Sequence, residues 1–464
     1  MGPIRFGTDG WRARYDADFT EENVARVAGA VARTLARSNP RGTLYIGYDT
    51  RRDARAFAEL AAGAAAGEGL SVVLSDSFCP IPALGWTAAR DPASVGGLML
   101  TASHNPEEYG GVKVRMADGG ASPKDFTDAI ELELASYAPP APGGFETSDI
   151  MSAYLADLKG LVDVNAIDAA RLKAVVDPLA GASRGYLVNA LRDAGVEAAE
   201  ITADMPAPAP SAPVQVDPAA PWAATCQNAV LATGSHVGFI VDADGDRLGA
   251  VDENGRLLTS HETIALVLES LVRSGKTGRV ITTTSGSALV RRQAARLGCP
   301  LTVTPVGFKW VYGEMLRGDV LLGGEESGGI GIPAHMLERD GLYTALILCE
   351  IMAKTGKTLA TLVADLEREI GPMRYARRDI KLDGASLQMF LNMLPGLNPQ
   401  EVAGMQPVSV SHIDGLRLSF ADDSWLLVRP SGTEPLIRVY AEAPTVEQRD
   451  ALLAGGSAIA YAAV

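Results

Sequence analysis

Thr43-Leu-Tyr-Ile-Gly-Tyr48, the alanine-rich stretch Ala54–Gly67, and Leu70-Ser-Val-Val-Leu74 read in order as strand, helix and strand. Short apolar runs separated by a longer alanine-dominated run are the grammar of an α/β fold. The same grammar returns twice. From about Asp149 the chain offers a strand at Lys173–Val176, a helix around Arg184–Ala194 and a strand at Val237–Val241. From about Asn254 to Glu367 it offers strands at Val280–Thr283, Leu301–Thr304 and Val320–Leu322, with helices at Leu289–Leu297 and Gly341–Met352. These three segments are variations on one plan. The last, from about Gly371, differs: alternation at Leu416–Phe420 and Trp425–Val428, then Leu436–Glu442, predicts a small antiparallel sheet with helices. Ala138-Pro-Pro-Ala-Pro-Gly-Gly144 is a linker through which neither helix nor strand continues. The domains expected are therefore 1–145, 146–253, 254–368 and 369–464. Met205–Pro221, with six prolines, reads as an extended excursion without an assigned role.

A chain of 464 residues exceeds what one core supports, at roughly 150 residues per domain. Its 47% apolar and 21% charged content is globular. A net charge of −15, from 41 basic and 56 acidic residues, argues against a nucleic-acid or anionic-membrane partner, so an anionic substrate needs a local basic pocket. Cys79, Cys226, Cys299 and Cys349 are scattered and form no zinc or disulfide pattern, which fits a reducing interior. With neither a signal-peptide core nor an apolar run of about 18 residues, the expected location is the cytoplasm.

Three strand ends carry candidate chemistry. Gly97-Leu-Met-Leu100 stops at Thr101-Ala-Ser-His-Asn-Pro106, delivering Ser103 to the lip of a sheet, where ligands of open α/β folds bind. A serine before Asn-Pro is also a common turn residue, and its hydroxyl needs help to act as a nucleophile. Adjacent side chains on an extended loop diverge, so His104 is not assigned as its base. Arg12, in Phe6-Gly-Thr-Asp-Gly-Trp-Arg12, and Lys113, in Gly111-Val-Lys-Val114, are cations suited to a transferring phosphoryl group. Asp242-Ala-Asp244-Gly-Asp246-Arg247 follows the second strand end and sets three carboxylates at alternating positions, a donor set for Mg²⁺ beside a phosphate. The calcium-loop template fails here, because Arg247 stands where that loop needs glycine. Strand-end loops bury little apolar surface, so changing any one of these aspartates to Ala is expected to weaken Mg²⁺ binding and leave the fold largely intact.

The third strand end is Gly323-Gly-Glu325-Glu-Ser327-Gly-Gly329, whose Glu and Ser suit neighbouring sugar hydroxyls. In the last segment, Arg429-Pro-Ser431-Gly432-Thr433-Glu-Pro-Leu-Ile-Arg438 combines hydroxyls, exposed N–H groups and arginines, the chemistry of a phosphate cradle.

These constellations, in this order from Phe6 to Arg438, resemble the α-D-phosphohexomutase family and its phosphoglucomutase/phosphomannomutase members. The resemblance implies an α/β multidomain fold: three related α/β domains with mixed sheets and a smaller C-terminal α+β domain around a central cleft. It implies that Ser103 carries a phosphoryl group and, with Asp242, Asp244 and Asp246, faces Mg²⁺. By the same match Arg12, Lys113 and Arg247 surround the phosphoserine, Glu325 and Ser327 contact sugar hydroxyls, and the loop from Arg429 through Ser431, Gly432 and Thr433, with Arg438, holds the non-reacting phosphate. The implied reaction exchanges hexose 1-phosphate and hexose 6-phosphate through a hexose 1,6-bisphosphate. Pro305-Val-Gly-Phe-Lys309-Trp310 resembles glucose- and mannose-phosphate mutases more than glucosamine-phosphate mutases, with Lys309 in the substrate site. Many relatives have histidine where this chain has Gly329, so that histidine's proton transfer is not available here. A phosphoglucosamine mutase, a sugar phosphatase and a non-catalytic sugar-phosphate sensor are the competing readings. Neither the oligomeric state nor the choice of hexose is legible.

Overall fold

The helix Glu21–Ala36 begins where Thr20, in extended conformation, accepts a hydrogen bond from Asn23 N, and Glu21 and Glu22 put negative charge at its amino end. Val24, Val27, Val31 and Leu35 recur at helical spacing and form its buried stripe. The helix Ala54–Gly67 buries Ala58, Ala61, Ala62 and Ala65. Both stripes share a core with Leu44, Ile46, Leu98 and Val112, where each large aliphatic side chain contributes about 1.5–3 kcal/mol. The structure, a computed structural model, describes residues 4–7, 9–201, 218–431 and 436–462. Most of the proline-rich excursion lies outside the described residues, as do Thr8, Gly432 and Thr433.

Two compact units form. The first takes the described residues as far as Ser260 with Tyr312–Gly318 and Ser327–Ala360; the second takes His261–Val311, Asp319–Glu326 and the rest from Thr361. The first unit holds two sheets. One is six-stranded, from β1 (Trp11–Arg14), β2 (Thr43–Tyr48), β3 (Ser71–Ser75), β4 (Ser94–Leu100), β5 (Tyr109–Met116) and β6 (Glu146–Ser148), in the order β1-β5-β4-β2-β3-β6. β4, β2, β3 and β6 pair in parallel, and β5 is antiparallel to β4 and β1. The other contains β7 (Lys173–Asp177), β8 (Glu197–Glu200), β9 (Val237–Val241) and β10 (Leu248–Asp252), in the order β10-β9-β7-β8. Here β9, β7 and β8 pair in parallel and β10 is antiparallel to β9.

In the second unit β11 (Arg279–Thr283) pairs in parallel with both β12 (Leu301–Thr304) and β13 (Val320–Gly324). The short β14 (Ile330–Gly331) follows in sequence and lies in the first unit. Numbered within each motif, β2 to β5 and β7 to β10 both have the order 4-3-1-2, and β11 to β13 has 3-1-2. The three segments are indeed one plan. Each places its candidate loop at the carboxyl end of the third strand, beside the first, where the strand order reverses and α/β sheets bind ligands.

The C-terminal part is antiparallel as expected: β15 (Arg374–Lys381), β16 (Ser409–Ser411), β17 (Leu416–Ser419), β18 (Trp425–Pro430) and β19 (Leu436–Ala443), in the order β15-β19-β18-β17-β16. Leu418, Leu426, Val428, Ile437 and Val439 share its core with Phe390 and Leu452. Among the described residues no helix is long and apolar enough to cross a membrane.

Candidate active site

β4 ends at Leu100, and the chain turns sharply. Thr101 N donates to Gly111 O at 3.0 Å and Ser103 N to Thr101 Oγ1 at 2.9 Å. Ser103 is buried and has a left-handed backbone with φ 52°, a conformation that costs a non-glycine residue about 1–2 kcal/mol. Strain at a strand-end hydroxyl is a mark of function. Its Oγ lies 3.4 Å from His104 Nδ1. The turn folds the two neighbouring side chains toward each other, contrary to the divergence expected of an extended loop. Arg12 Nη1 donates to Asn105 Oδ1 of the same loop. Burial draws the Arg12 pKa below the usual guanidinium range, with Arg247 and Arg51 adding to it and Asp9 and Asp244 opposing.

Lys113, on β5, is fully buried yet charged. Its Nζ is 2.7 Å from Asp244 Oδ2, 2.7 Å from Asp9 Oδ2 and 3.6 Å from Asp246 Oδ2. Burial pushes its pKa down, but the three carboxylates outweigh it and the net shift is upward. Arg115, two residues on and facing the same side of the strand, joins Asp9 Oδ1 at 3.0 Å to Glu338 Oε2 at 3.1 Å. Arg339 Nη2 reaches Asp246 Oδ2 at 2.6 Å. Burial raises the Asp9 and Asp244 carboxyls, and the cations together more than reverse this: Lys113 with Arg115 and Arg339 at Asp9, and Lys113 with Arg339 at Asp244. Asp242 behaves oppositely: burial and then the like charges of Asp246 and Asp244 push it well above the usual range.

Asp242, Asp244 and Asp246 each offer an oxygen, and these oxygens lie within 4.8 Å of one another. Asp242 Oδ2, Asp244 Oδ1 and Asp246 Oδ1 are buried and accept no hydrogen bond among the described residues. Three buried acceptors crowded together fit a hard divalent cation such as Mg²⁺. Gly245 makes the turn possible, with φ 81° and a Cβ position 2.6 Å from Pro80 Cβ. Arg247 N caps the loop on Asp242 Oδ1 at 3.0 Å, and its Nε lies 3.8–3.9 Å from Asp246 and Asp242. All three aspartates are buried, and Asp244 and Asp246 are also paired with Lys113 and Arg339, a burial that loop placement alone does not imply.

Ser327 lies in this same unit, next to Gly328, whose carbonyl accepts Leu248 N at 3.1 Å just past Arg247. A Cβ at Gly329 would stand 2.3 Å from Arg339 Cδ. The space that a side chain at position 329 would enter is thus filled by the Arg339 side chain. Asp340 caps the helix Gly341–Thr355 at Tyr343 N, and Gly341 N donates to Gly245 O at 3.2 Å.

The second unit gathers the other candidates. Asp414 Oδ2 accepts from Arg429 Nε at 2.9 Å, Val306 N at 2.8 Å and Thr284 Oγ1 at 3.1 Å. Gly307 N donates to Glu325 Oε1 at 3.1 Å, and Ser285 Oγ to Glu326 Oε2 at 2.6 Å. Arg429, Thr284 and the loop leading to Lys309 are therefore tied through Asp414, and that loop in turn reaches Glu325 through Gly307. Lys309 Nζ stands 5.4 Å over the Trp310 ring. Arg438 lies opposite Arg429 in the β18–β19 register. Ser431 N closes the turn on Leu436 O at 2.8 Å.

Sequence reading missed Asp9, Arg51, Arg115, Glu338, Arg339 and Asp414. Two signals were available: Asp49-Thr-Arg-Arg-Asp53 is a charged loop after a strand, and Glu338-Arg-Asp340 precedes an apolar helix.

Four sequence families match in chain order: phosphoglucomutase/phosphomannomutase alpha/beta/alpha domain I over residues 3–140, domain II over 152–255, domain III over 259–370, and the C-terminal domain over 395–454. A phosphoglucomutase/phosphomannomutase of Thermococcus kodakarensis is 31% identical, covering 97% of this chain and 96% of its own. A phosphoglucosamine mutase of Salinispora arenicola is also 31% identical, over 96% and 95%. A solved structure from Thermus thermophilus, assigned as a phosphomannomutase, is 33% identical with a TM-score of 0.88 over 99% of both chains. The chain therefore belongs to the phosphoglucomutase/phosphomannomutase family, whose members are phosphohexomutases.

Proposed function

We propose that this mutase interconverts the 1- and 6-phosphates of glucose and mannose through phospho-Ser103 and a hexose 1,6-bisphosphate, with Mg²⁺ on Asp242, Asp244 and Asp246. The observation that carries the reading is the set of three crowded, hydrogen-bond-deficient carboxylates in the same unit as a strained, buried serine. Mg²⁺ held there supplies charge neutralisation for phosphoryl oxygens. Lys113, Arg12 and Arg247 add fixed positive charge around the transferring group, which needs electrostatic stabilisation more than covalent help. In the first transfer the bond from Ser103 Oγ to phosphorus breaks and a bond to the sugar hydroxyl forms. The proton lost by that hydroxyl is matched by the proton Ser103 regains. The second transfer reverses this at the other end of the sugar. Glu325 and Ser327 read sugar hydroxyls, Lys309 joins them, and Arg429, Ser431, Gly432, Thr433 and Arg438 hold the phosphate that is not reacting.

The test is a mutase assay on glucose 1-phosphate, mannose 1-phosphate and glucosamine 6-phosphate, with Mg²⁺ and a trace of hexose bisphosphate. The expected result is turnover of both hexoses without inorganic phosphate. Stoichiometric phosphate release makes the protein a phosphatase, and a clear preference for glucosamine 6-phosphate moves it to the phosphoglucosamine mutases.

A further inference from the structure

Arg51 follows β2 and belongs to none of the motifs that carry the proposed chemistry. Its side chain is buried against the loop that holds Ser103. Nη2 donates to Ser103 O and Asn105 O, both at 2.6 Å. Nη1 donates to Pro106 O at 2.9 Å and Tyr109 O at 3.1 Å. Nε completes the set on Asp49 Oδ2 at 3.2 Å, and Asp49 Oδ1 also accepts Arg51 N at 3.0 Å. A guanidinium has five N–H donors in one plane, and all five are used. None remains for a phosphate. The cation instead gathers four carbonyls of residues 103–109, one of them belonging to Ser103, whose backbone is left-handed.

We infer that Arg51 is a positioning residue that moulds the nucleophile loop and holds Ser103 Oγ in line for phosphoryl transfer. This rests on the reading of Ser103 as the phosphoryl acceptor. Aligning four carbonyls on one cation needs a planar fork, which an ammonium group does not supply. Misplacement of a reacting atom by about 1 Å costs on the order of a hundredfold in rate.

The experiment charges the full-length enzyme with glucose 1,6-bisphosphate and Mg²⁺, follows phosphate on Ser103 by rapid quench and intact mass, and measures kcat and KM for glucose 1-phosphate. Arg51→Ala is expected to slow transfer to Ser103 about a hundredfold with KM changed by less than about threefold, because ground-state binding does not use the loop geometry. Guanidinium ion at tens of millimolar should restore at least about tenfold of the lost rate while leaving wild type unchanged, and ammonium ion should not. Arg51→Lys keeps the charge and the Asp49 partner, and is expected to be at least about tenfold slow. Should Arg51→Ala fail to fold, Arg51→Lys decides: wild-type transfer in it overturns the inference. A slow Arg51→Ala that guanidinium does not restore, with KM rising in parallel, makes Arg51 a structural residue and also overturns it. If wild type acquires no phosphate at Ser103, the mutase reading falls and takes this one with it; if wild type is charged and both variants match it, this inference alone falls.

Discussion

Around Lys113 the ion pairs are shared and, apart from the partly exposed Asp9, dry, whereas Arg429 has one wetter pair, with a carboxylate on which two further hydrogen bonds converge. Lys113, Arg115, Asp244 and Asp246 have side chains no more than 1% exposed, and each charge answers to more than one opposite charge. Arg429 and Asp414 are 12% and 17% exposed, and burial's downward pull on the Arg429 pKa is overcome mainly by Asp414. The contrast follows from the work proposed for each region. A group that stabilises charge in transit gains from low dielectric and fixed neighbours. A group that captures a phosphate from water must keep an open side and be held by something that does not saturate it.

The largest effect expected is on the acceptor itself. Ser103→Ala should abolish turnover, and intact-mass analysis should find the single phosphate of the wild type missing. Full activity in that variant removes the dry region from the chemistry altogether.

Next come two aspartates that the sequence treats alike and the structure separates. Asp244→Asn and Asp242→Asn should each cost Mg²⁺-dependent activity about a hundredfold or more. In metal-free thermal unfolding they should part. Asp244→Asn takes a partner from buried Lys113 and should destabilise by about 3 kcal/mol, the lower end for breaking a buried pair because Asp9 remains. Asp242→Asn replaces a carboxyl whose ionisation burial and its neighbours oppose, breaks no ion pair closer than 3.9 Å and should raise Tm. Equal Tm shifts in the two variants break the account of the network.

In the wetter region, Arg429→Ala should lower kcat/KM about ten- to a hundredfold, at ~1.4 kcal/mol per factor of ten. Rapid quench should show near-normal first transfer at saturating substrate and more free bisphosphate. Asp414→Asn keeps the shape but weakens three hydrogen bonds, so a smaller loss of about tenfold, chiefly in KM, is expected. A pure kcat effect means that the carboxylate does not serve binding.

The smallest effect on turnover concerns His261, buried with its ring 4.8 Å from that of Tyr375. Burial pulls its pKa down to about 4, against a small upward pull from Glu442. The folded pKa is lower than the unfolded value of about 6.5, so the unfolded chain binds more protons as pH falls. Stability should therefore decline between about pH 6.5 and 4, by up to ~3 kcal/mol, with little effect on rate at neutral pH. Urea titrations of wild type and His261→Gln across this range check it: the variant should lose the slope, and an unchanged slope assigns it elsewhere.

Much of the site was legible because its parts are local. The Ser103, Asp242–Arg247 and Glu325–Ser327 motifs each sit where an apolar strand meets a polar loop, and strand, turn and charge are all read within ten residues. The partners that hold these motifs were not legible. Glu338 meets Arg115, and Arg339 meets Asp246, across gaps of 223 and 93 residues (338 − 115 and 339 − 246). Nothing in a run of charges says which will be buried together. His104 shows the opposite failure, where a positive φ at Ser103 brought together two side chains that spacing alone kept apart.

What the sequence by itself determined was the α/β grammar repeated three times, the antiparallel last segment, and the identity of the loops that bear hydroxyl, carboxylate and arginine. Periodicity and turn residues encode these over short range. Only the tertiary structure decided that Lys113 stays charged while buried, that Asp242 and Asp244 are driven in opposite directions, that Arg339 fills the space beside Gly329, and that one guanidinium holds the serine loop. Each of these depends on which charges meet in a medium that water does not reach, and Coulomb energies there rise several-fold with burial and fall with distance.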